Sequence, residues 1–192
     1  MSDQMSEINF VDSFSADTIV IRKVIDSLMN DLTKMNYPKE EKDEIILAMD
    51  EIITNAVQET LFTLQNNPTF GSGHEISVRY RITDDNFDAT IIDHGKGLDI
   101  NTIFRKIPDS NAPDYKEQLI RYAHKSDGKK LKVRLNGKEI SINGIGAGLK
   151  IILSFMDVLN IDLIDRDCVI SDTVGCSTDG SIITMHRKRR YR

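Results

Sequence analysis

The pattern of apolar residues predicts an α+β fold, a two-layer α/β sandwich with a mixed, mostly antiparallel sheet and helices on one face. Three observations carry this. Two long stretches near the start repeat apolar residues every three to four positions, as amphipathic helices do. Two runs that alternate apolar and polar residues follow, joined by a short turn. The last third holds a glycine-rich loop, an apolar helical run and further strand-like runs. Antiparallel hairpins beside helices of this kind form layered α+β domains.

The elements follow in order. "EINFV" (7–11) suits a short strand. From Ser15 a helical stripe runs through Ile21, Val24, Ile25, Leu28 and Leu32. "NYPKEE" restarts the chain: Pro38 suits a first helical position, and Glu40 and Glu41 suit a first turn, where the helix dipole favours negative charge. The second helix runs to about Leu64 on a stripe of Ile45, Ile46, Met49, Ile52, Ile53, Ala56 and Val57. "HEISVRYRIT" (74–83) and "NFDATIID" (86–93) read as strands, the first with one wet face. "LKVRLNGKEISI" (131–142) is a hairpin, because Asn136-Gly137 is a preferred two-residue turn. "NGIGAG" leads into the helical run "LKIILSFMDVL", and "IDLID" and "SIITMHR" close the chain as strands. There is no internal repeat, so residues 1–192 read as a single domain.

Bulk composition narrows the function classes. Charged residues make up 29% and hydrophobic residues 40%, which suits a soluble globular protein. A net charge of -5 argues against a direct nucleic-acid binder, which usually shows a basic face. The basic tail "HRKRRYR" reads as a solvated, frayed terminus. Cys168 and Cys176 do not match zinc-site spacing and read as free thiols. No signal peptide opens the sequence, and no run approaches the ~20 apolar residues of a membrane span. These features predict a cytoplasmic protein with no membrane association.

Three stretches carry chemistry. In "MDEIITNAV", Glu51 and Asn55 lie one turn apart on one helix face, about 40° apart. A carboxylate there can take a proton from an attacking hydroxyl, and an amide oxygen can ligate magnesium. The same residues also suit a plain solvated helix face. In "DHGKGLD", Asp93 ends a strand and can accept a hydrogen bond from an exocyclic amine such as that of adenine. Gly95 and Gly97 let backbone approach a flat base, although aspartate before glycine is also ordinary turn chemistry. In "GIGAGLKII", Gly144, Gly146 and Gly148 precede a helix, and backbone N–H groups there can cradle phosphate, although a flexible loop capping a core helix fits equally. The spacing is neither the Rossmann nor the Walker A pattern.

Taken together and in this order, the three stretches resemble the GHKL ATPase superfamily (gyrase, histidine kinase and MutL type). "DEIITNAV" is similar to its N box, "DHGKG" to its first glycine box and "GIGAGL" to its second. The resemblance covers roughly residues 40–187. It implies a Bergerat-type ATP-binding fold with ATP and Mg2+ as cofactors. Glu51 would be the general base and Asn55 the magnesium ligand. Asp93 would bind the adenine amine. Gly95 and Gly97 would shape its pocket, Gly144, Gly146, Gly148 and Leu149 would line the phosphates, and Thr184 would stand near the adenine. The segment at about 98–143 would be an enlarged ATP lid. Lys150 can reach a phosphate, but it also reads, and more readily, as a solvated helix lysine.

Branch choice rests on what is missing. No histidine precedes the N box, as a histidine kinase needs, and 192 residues leave no room for the extra domains of gyrase or MutL. The layout is similar to bacterial anti-sigma-factor serine/threonine-protein kinases. That implies phosphorylation of a small antagonist (STAS-domain-like) protein in a partner-switching pathway, with a sigma factor as a further partner. The family also makes a homodimer an expectation. Arg105, Arg121, Lys125, Lys129 and Lys130 are equal candidates for a basic lid group. The alternative is a nucleotide-gated binding regulator with little or no kinase activity, in which Glu51 is structural.

Overall fold

The computed structural model describes residues 7–66, 75–95, 132–135, 138–141, 147–165, 170–171 and 178–190. The first strand, β1 (Glu7–Ser15), leads into helix α1 (Thr18–Lys34). Asp17 caps α1: its carboxylate accepts from the Ile19 N–H at 2.9 Å and satisfies one of the free amides of the first turn. Val20, Val24, Leu28 and Leu32 form the buried stripe. The helix stops at Asn36, whose φ of 53° is left-handed. There the Tyr37 N–H reaches the Leu32 carbonyl and the Asn36 N–H reaches the Thr33 carbonyl, both at 3.0 Å. This is a Schellman termination with asparagine in the place glycine usually takes.

Helix α2 (Lys39–Asn66) follows at once. Pro38 stands one position earlier than expected, just before the helix, and its carbonyl accepts the Lys42 N–H at 3.0 Å. Its missing N–H costs nothing at either place. The expected stripe of α2 is buried, apart from the partly buried Ile46, and the burial extends over Glu41, Ala48, Thr60 and Thr63.

The remaining strands are β2 (Glu75–Thr83), β3 (Asn86–Asp93), β4 (Lys132–Leu135), β5 (Lys138–Ser141), β6 (Val158–Asp165), β7 (Ile170–Ser171) and β8 (Thr178–Lys188); helix α3 (Ala147–Phe155) precedes β6. They form one sheet in the order β1-β2-β3-β8-β6-β4-β5, with β7 also on β6. Every neighbouring pair is antiparallel except β4 and β6. The mixed, mostly antiparallel α/β sandwich read from the sequence is therefore the observed fold. On the inner face Ile76, Val78, Tyr80, Ile82, Phe87, Ala89, Ile91, Ile183 and Met185 join the helices' buried stripes in one apolar core. Alternation along the strands sends Arg79, Arg81, Asp88, Thr90 and His186 to the other face. Tyr80 spans the two layers: its ring stacks on Phe10 at 4.6 Å, and its hydroxyl donates to Asp31 on α1 at 2.8 Å.

The β4–β5 hairpin expected within 131–142 forms, with Leu135 opposite Lys138; its turn residues lie outside the described residues. The hairpin does not stand apart from the sheet: β4 lies parallel to β6, with Arg134 opposite Asn160 and Leu135 opposite Ile161. The described part of the 98–143 segment is thus sheet; its remainder lies outside the described residues. The basic tail is not frayed either, at least through Arg190. Arg187 is fully buried. The Arg189 guanidinium lies 4.5 Å over the Tyr37 ring and donates to the Asn36 carbonyl at 2.6 Å. Cation–π contact and capping of the α1 terminus hold these cations in the fold.

Candidate functional site

The site begins on α2. Glu51 and Asn55 are both half-buried on one flank, and the Asn55 amide nitrogen donates to Glu51 Oε1 at 3.3 Å. That bond leaves the amide oxygen of Asn55 as an acceptor. One turn on, Glu59 meets the turn that follows β3. A Cβ placed on Gly95 would sit 2.7 Å from Glu59 Cβ. Only a residue without a side chain lets the D-x-G turn press against α2 this closely. The contact brings the strand end carrying Asp93 to the same flank as Glu51 and Asn55.

Asp93 is buried at the end of β3, 4% exposed. Its Oδ1 accepts the Gly95 N–H at 2.9 Å, and its Oδ2 accepts the Ser181 hydroxyl from the neighbouring strand. Burial pushes the carboxyl above its ordinary value, while the Ser181 and Gly95 bonds pull the other way. The Ser181 backbone N–H adds a third donor to the carboxyl. A carboxyl held this way has a fixed orientation at the end of β3.

Ser181 is a residue the sequence reading missed, and Thr184 is the one it chose instead. The register sets Ser181 opposite Asp93 and Thr184 opposite Thr90. Ser181, Ile183 and Met185 are buried on the helix side. Thr184 falls on the other face, so the structure does not bring it to Asp93. Part of the signal was available: the period of two in "SIITM" puts Thr184 on the opposite face from Ile183 and Met185.

Gly180 is a second missed residue. A Cβ there would lie 1.9 Å from the Asp93 carbonyl oxygen. Beside it the β6–β8 register slips: Ile164 pairs with Gly180 and Asp165 with Thr178. Asp179 is the extra residue of this bulge, and its carboxylate lies 3.9 Å from His94 Nδ1. That nitrogen is buried and has no hydrogen-bond partner among the described residues. Bulges often re-aim a side chain beside a functional site.

Gly148 and Leu149 lie in the first turn of α3; Gly97, Gly144 and Gly146 lie outside the described residues, as do all five basic lid candidates. The far end of α3 is fixed. Arg187 Nη1 donates to the Phe155 carbonyl at 3.1 Å, and Nη2 donates to Glu44 near the start of α2. Arg187 Nε lies 3.9 Å from Glu41 Oε2, and the Arg187 and Glu41 side chains are fully buried. The body of α3 packs on α2, and Arg187 ties its C-terminal end to Glu44.

This donor set fits a magnesium nucleotide. Among the described residues no group of three or more His, Cys, Asp or Glu could hold a metal by itself. Magnesium in phosphate sites usually takes one or two protein oxygens and completes its shell with phosphate and water, which Asn55 Oδ1 suits.

The same architecture occurs in a known complex. A chain of the SiaB-SiaC complex from Pseudomonas aeruginosa aligns with a TM-score of 0.51 and 12% identity, over 93% of this chain and 88% of that one. The two chains share a fold. No protein-family model matches the sequence, and no curated protein does. No helix among the described residues is long and apolar enough to cross a membrane.

Proposed function

We propose that the chain is a GHKL-type, ATP-dependent serine/threonine-protein kinase of the anti-sigma-factor kind, acting in the cytoplasm on a small antagonist protein in a partner-switching pathway. The observation that carries the reading is the packing of Gly95 on Glu59, which brings buried Asp93 to the Glu51–Asn55 flank of α2. Asp93 would hold the adenine amine, with Ser181 and the Gly95 N–H fixing its orientation. Asn55 Oδ1 would take magnesium, and the amides at the start of α3 would face the phosphates. Bound Mg-ATP would supply the transferable phosphoryl group. Glu51 would accept the proton of the attacking hydroxyl. Most of the rate gain in such a transfer comes from positioning and charge neutralisation. The occurrence of this fold in a two-protein complex supports a protein partner; its STAS-like character and the sigma factor rest on the sequence resemblance alone.

One observation favours the second reading, a nucleotide-gated binding regulator. Asn55 already donates to Glu51, which suits a carboxylate that orients Asn55 instead of acting as a base. Calorimetric titration with Mg-ATP on wild type and Asp93→Asn tests the nucleotide site, with binding expected only for wild type. Formation of a phosphoprotein then separates kinase from gated binder. Absence of ATP binding by wild type would overturn both readings.

A further inference from the structure

We infer that Arg187 is a positioning residue for the phosphate end of the nucleotide site, acting through the axial placement of α3. The inference rests on the nucleotide reading above. Arg187 lies on β8, six residues after Ser181, so one strand carries both the residue that holds Asp93 and the residue that holds α3.

The apolar contacts of α3, through Ile152 and Leu153, are non-directional and resist sliding along the helix axis only weakly. Its directional contacts in the described region gather at its C-terminal end. The Phe155 carbonyl, one of the acceptors every helix leaves unpaired in its last turn, takes Arg187 Nη1. The chain just beyond is tied by the Asp157 N–H to the His186 carbonyl at 2.9 Å and by the Lys188 N–H to Asp157 Oδ2 at 2.7 Å. The charges agree with both helix dipoles. A cation sits at the C-terminus of α3, and Glu41 and Glu44 lie near the N-terminus of α2.

Stability alone is a weak reason for this arrangement. Well-packed apolar residues often replace a buried ion pair at no cost. What an apolar residue would lose is the guanidinium fork, which bonds two helices at once and fixes where α3 stops. Because α3 is short, its N-terminal amides are set by where its C-terminus is held. Asp93, by contrast, is held by Ser181 and Gly95, neither of which lies on α3. The adenine end and the phosphate end should therefore respond differently when Arg187 is changed.

The test compares adenosine with Mg-ATP by calorimetry on wild type, Arg187→Met and Glu44→Gln, with amide hydrogen exchange over α3. For Arg187→Met, adenosine affinity should stay within about twofold. The preference for Mg-ATP over adenosine should fall about tenfold, the size expected for losing one charge-assisted bond. Exchange in the first turn of α3 should quicken. Glu44→Gln, which keeps the arginine, should shift the preference the same way by a smaller factor and answers the question if Arg187→Met does not fold. Equal loss of both ligands would make Arg187 merely structural and overturn the inference, as would an unchanged preference in a folded variant. Wild type binding adenosine and Mg-ATP equally would overturn it too. Wild type binding neither would remove the nucleotide reading and the inference together.

Discussion

Ser181 and Asp93 sit directly opposite each other in the β3–β8 register, and the serine hydroxyl donates to Asp93 Oδ2. Burial raises the Asp93 pKa, and this bond is the largest opposing influence. In the folded state the carboxyl holds its proton to higher pH than in the unfolded chain. Its contribution to stability is thus fully present below the ordinary carboxylate range and is lost as pH rises through the raised value. Urea unfolding followed upward in pH from the ordinary carboxylate range should show this slope in wild type. Asp93→Asn should flatten it. Ser181→Ala removes a donor to the carboxylate, so it should raise the Asp93 pKa further and carry the slope to higher pH. If both variants keep the wild-type slope, the carboxyl is not titrating in the way its surroundings dictate.

Gly180 and Gly95 hold the strand end and its turn in place through contacts that tolerate no side chain. Gly180→Ala would drive a methyl into the Asp93 carbonyl oxygen, which is backbone and cannot swing aside. Overpacking typically costs 1–3 kcal/mol, and Gly180→Ala should cost about 3 kcal/mol or more. Gly95→Ala meets Glu59 Cβ and should cost about 1–3 kcal/mol while lifting the turn off α2. Denaturant unfolding checks both. A Gly180→Ala protein as stable as wild type would mean that β8 does not approach Asp93 this closely.

The two-layer fold was legible because its signals are local: the stripe on α1 and α2, the alternation in β2 and β3, and the pattern of the β4–β5 hairpin are all written within a few residues of where they act. What was lost depends on pairing between distant segments. The hairpin's own turn says nothing of β6, more than twenty residues away, so its parallel docking was not expected. Arg187 lies in a run of cations that resembles a solvated tail. Only the approach of Glu41, Glu44 and the Phe155 carbonyl, from two helices, makes it a buried residue. At the candidate site, Glu51, Asn55 and Asp93 stood out only through the order of three short motifs, since each alone also suits a plain helix face or turn. Ser181 needed the register of β3 on β8, which a strict period-two reading of "SIITM" would have narrowed.

Tyr37 gives an alkaline counterpart to Asp93. Its hydroxyl donates to the Thr83 carbonyl at 3.0 Å, and burial pushes its pKa up to about 12. The folded protein thus holds the phenolic proton beyond the point at which the unfolded chain releases it. The associated stability is present below the ordinary tyrosine range and is lost as pH rises through about 12. Tyr37→Phe should lower stability at neutral pH by about 1 kcal/mol, the usual worth of one hydrogen bond, and should shrink the fall above about pH 10. Comparing the two proteins' unfolding midpoints across that range isolates Tyr37 from the other tyrosines.

Glu51 and Asn55 can be separated by which quantity each variant changes. If Glu51 is the base, Glu51→Ala should lower phosphoryl transfer by about 10²–10⁴ while Mg-ATP affinity stays within about twofold, because general-base catalysis acts on the transition state. If Glu51 only orients Asn55 through their 3.3 Å bond, the same variant should weaken Mg-ATP binding and leave magnesium-free binding alone. Asn55→Ala should abolish the magnesium-dependent part of affinity under either account. The measurement pairs calorimetry, with and without magnesium, with transfer of labelled γ-phosphate to serine- and threonine-containing peptides. Unchanged transfer and unchanged affinity in Glu51→Ala would remove Glu51 from the site. The α2 flank would then act through Asn55 and its contact with the Asp93 turn.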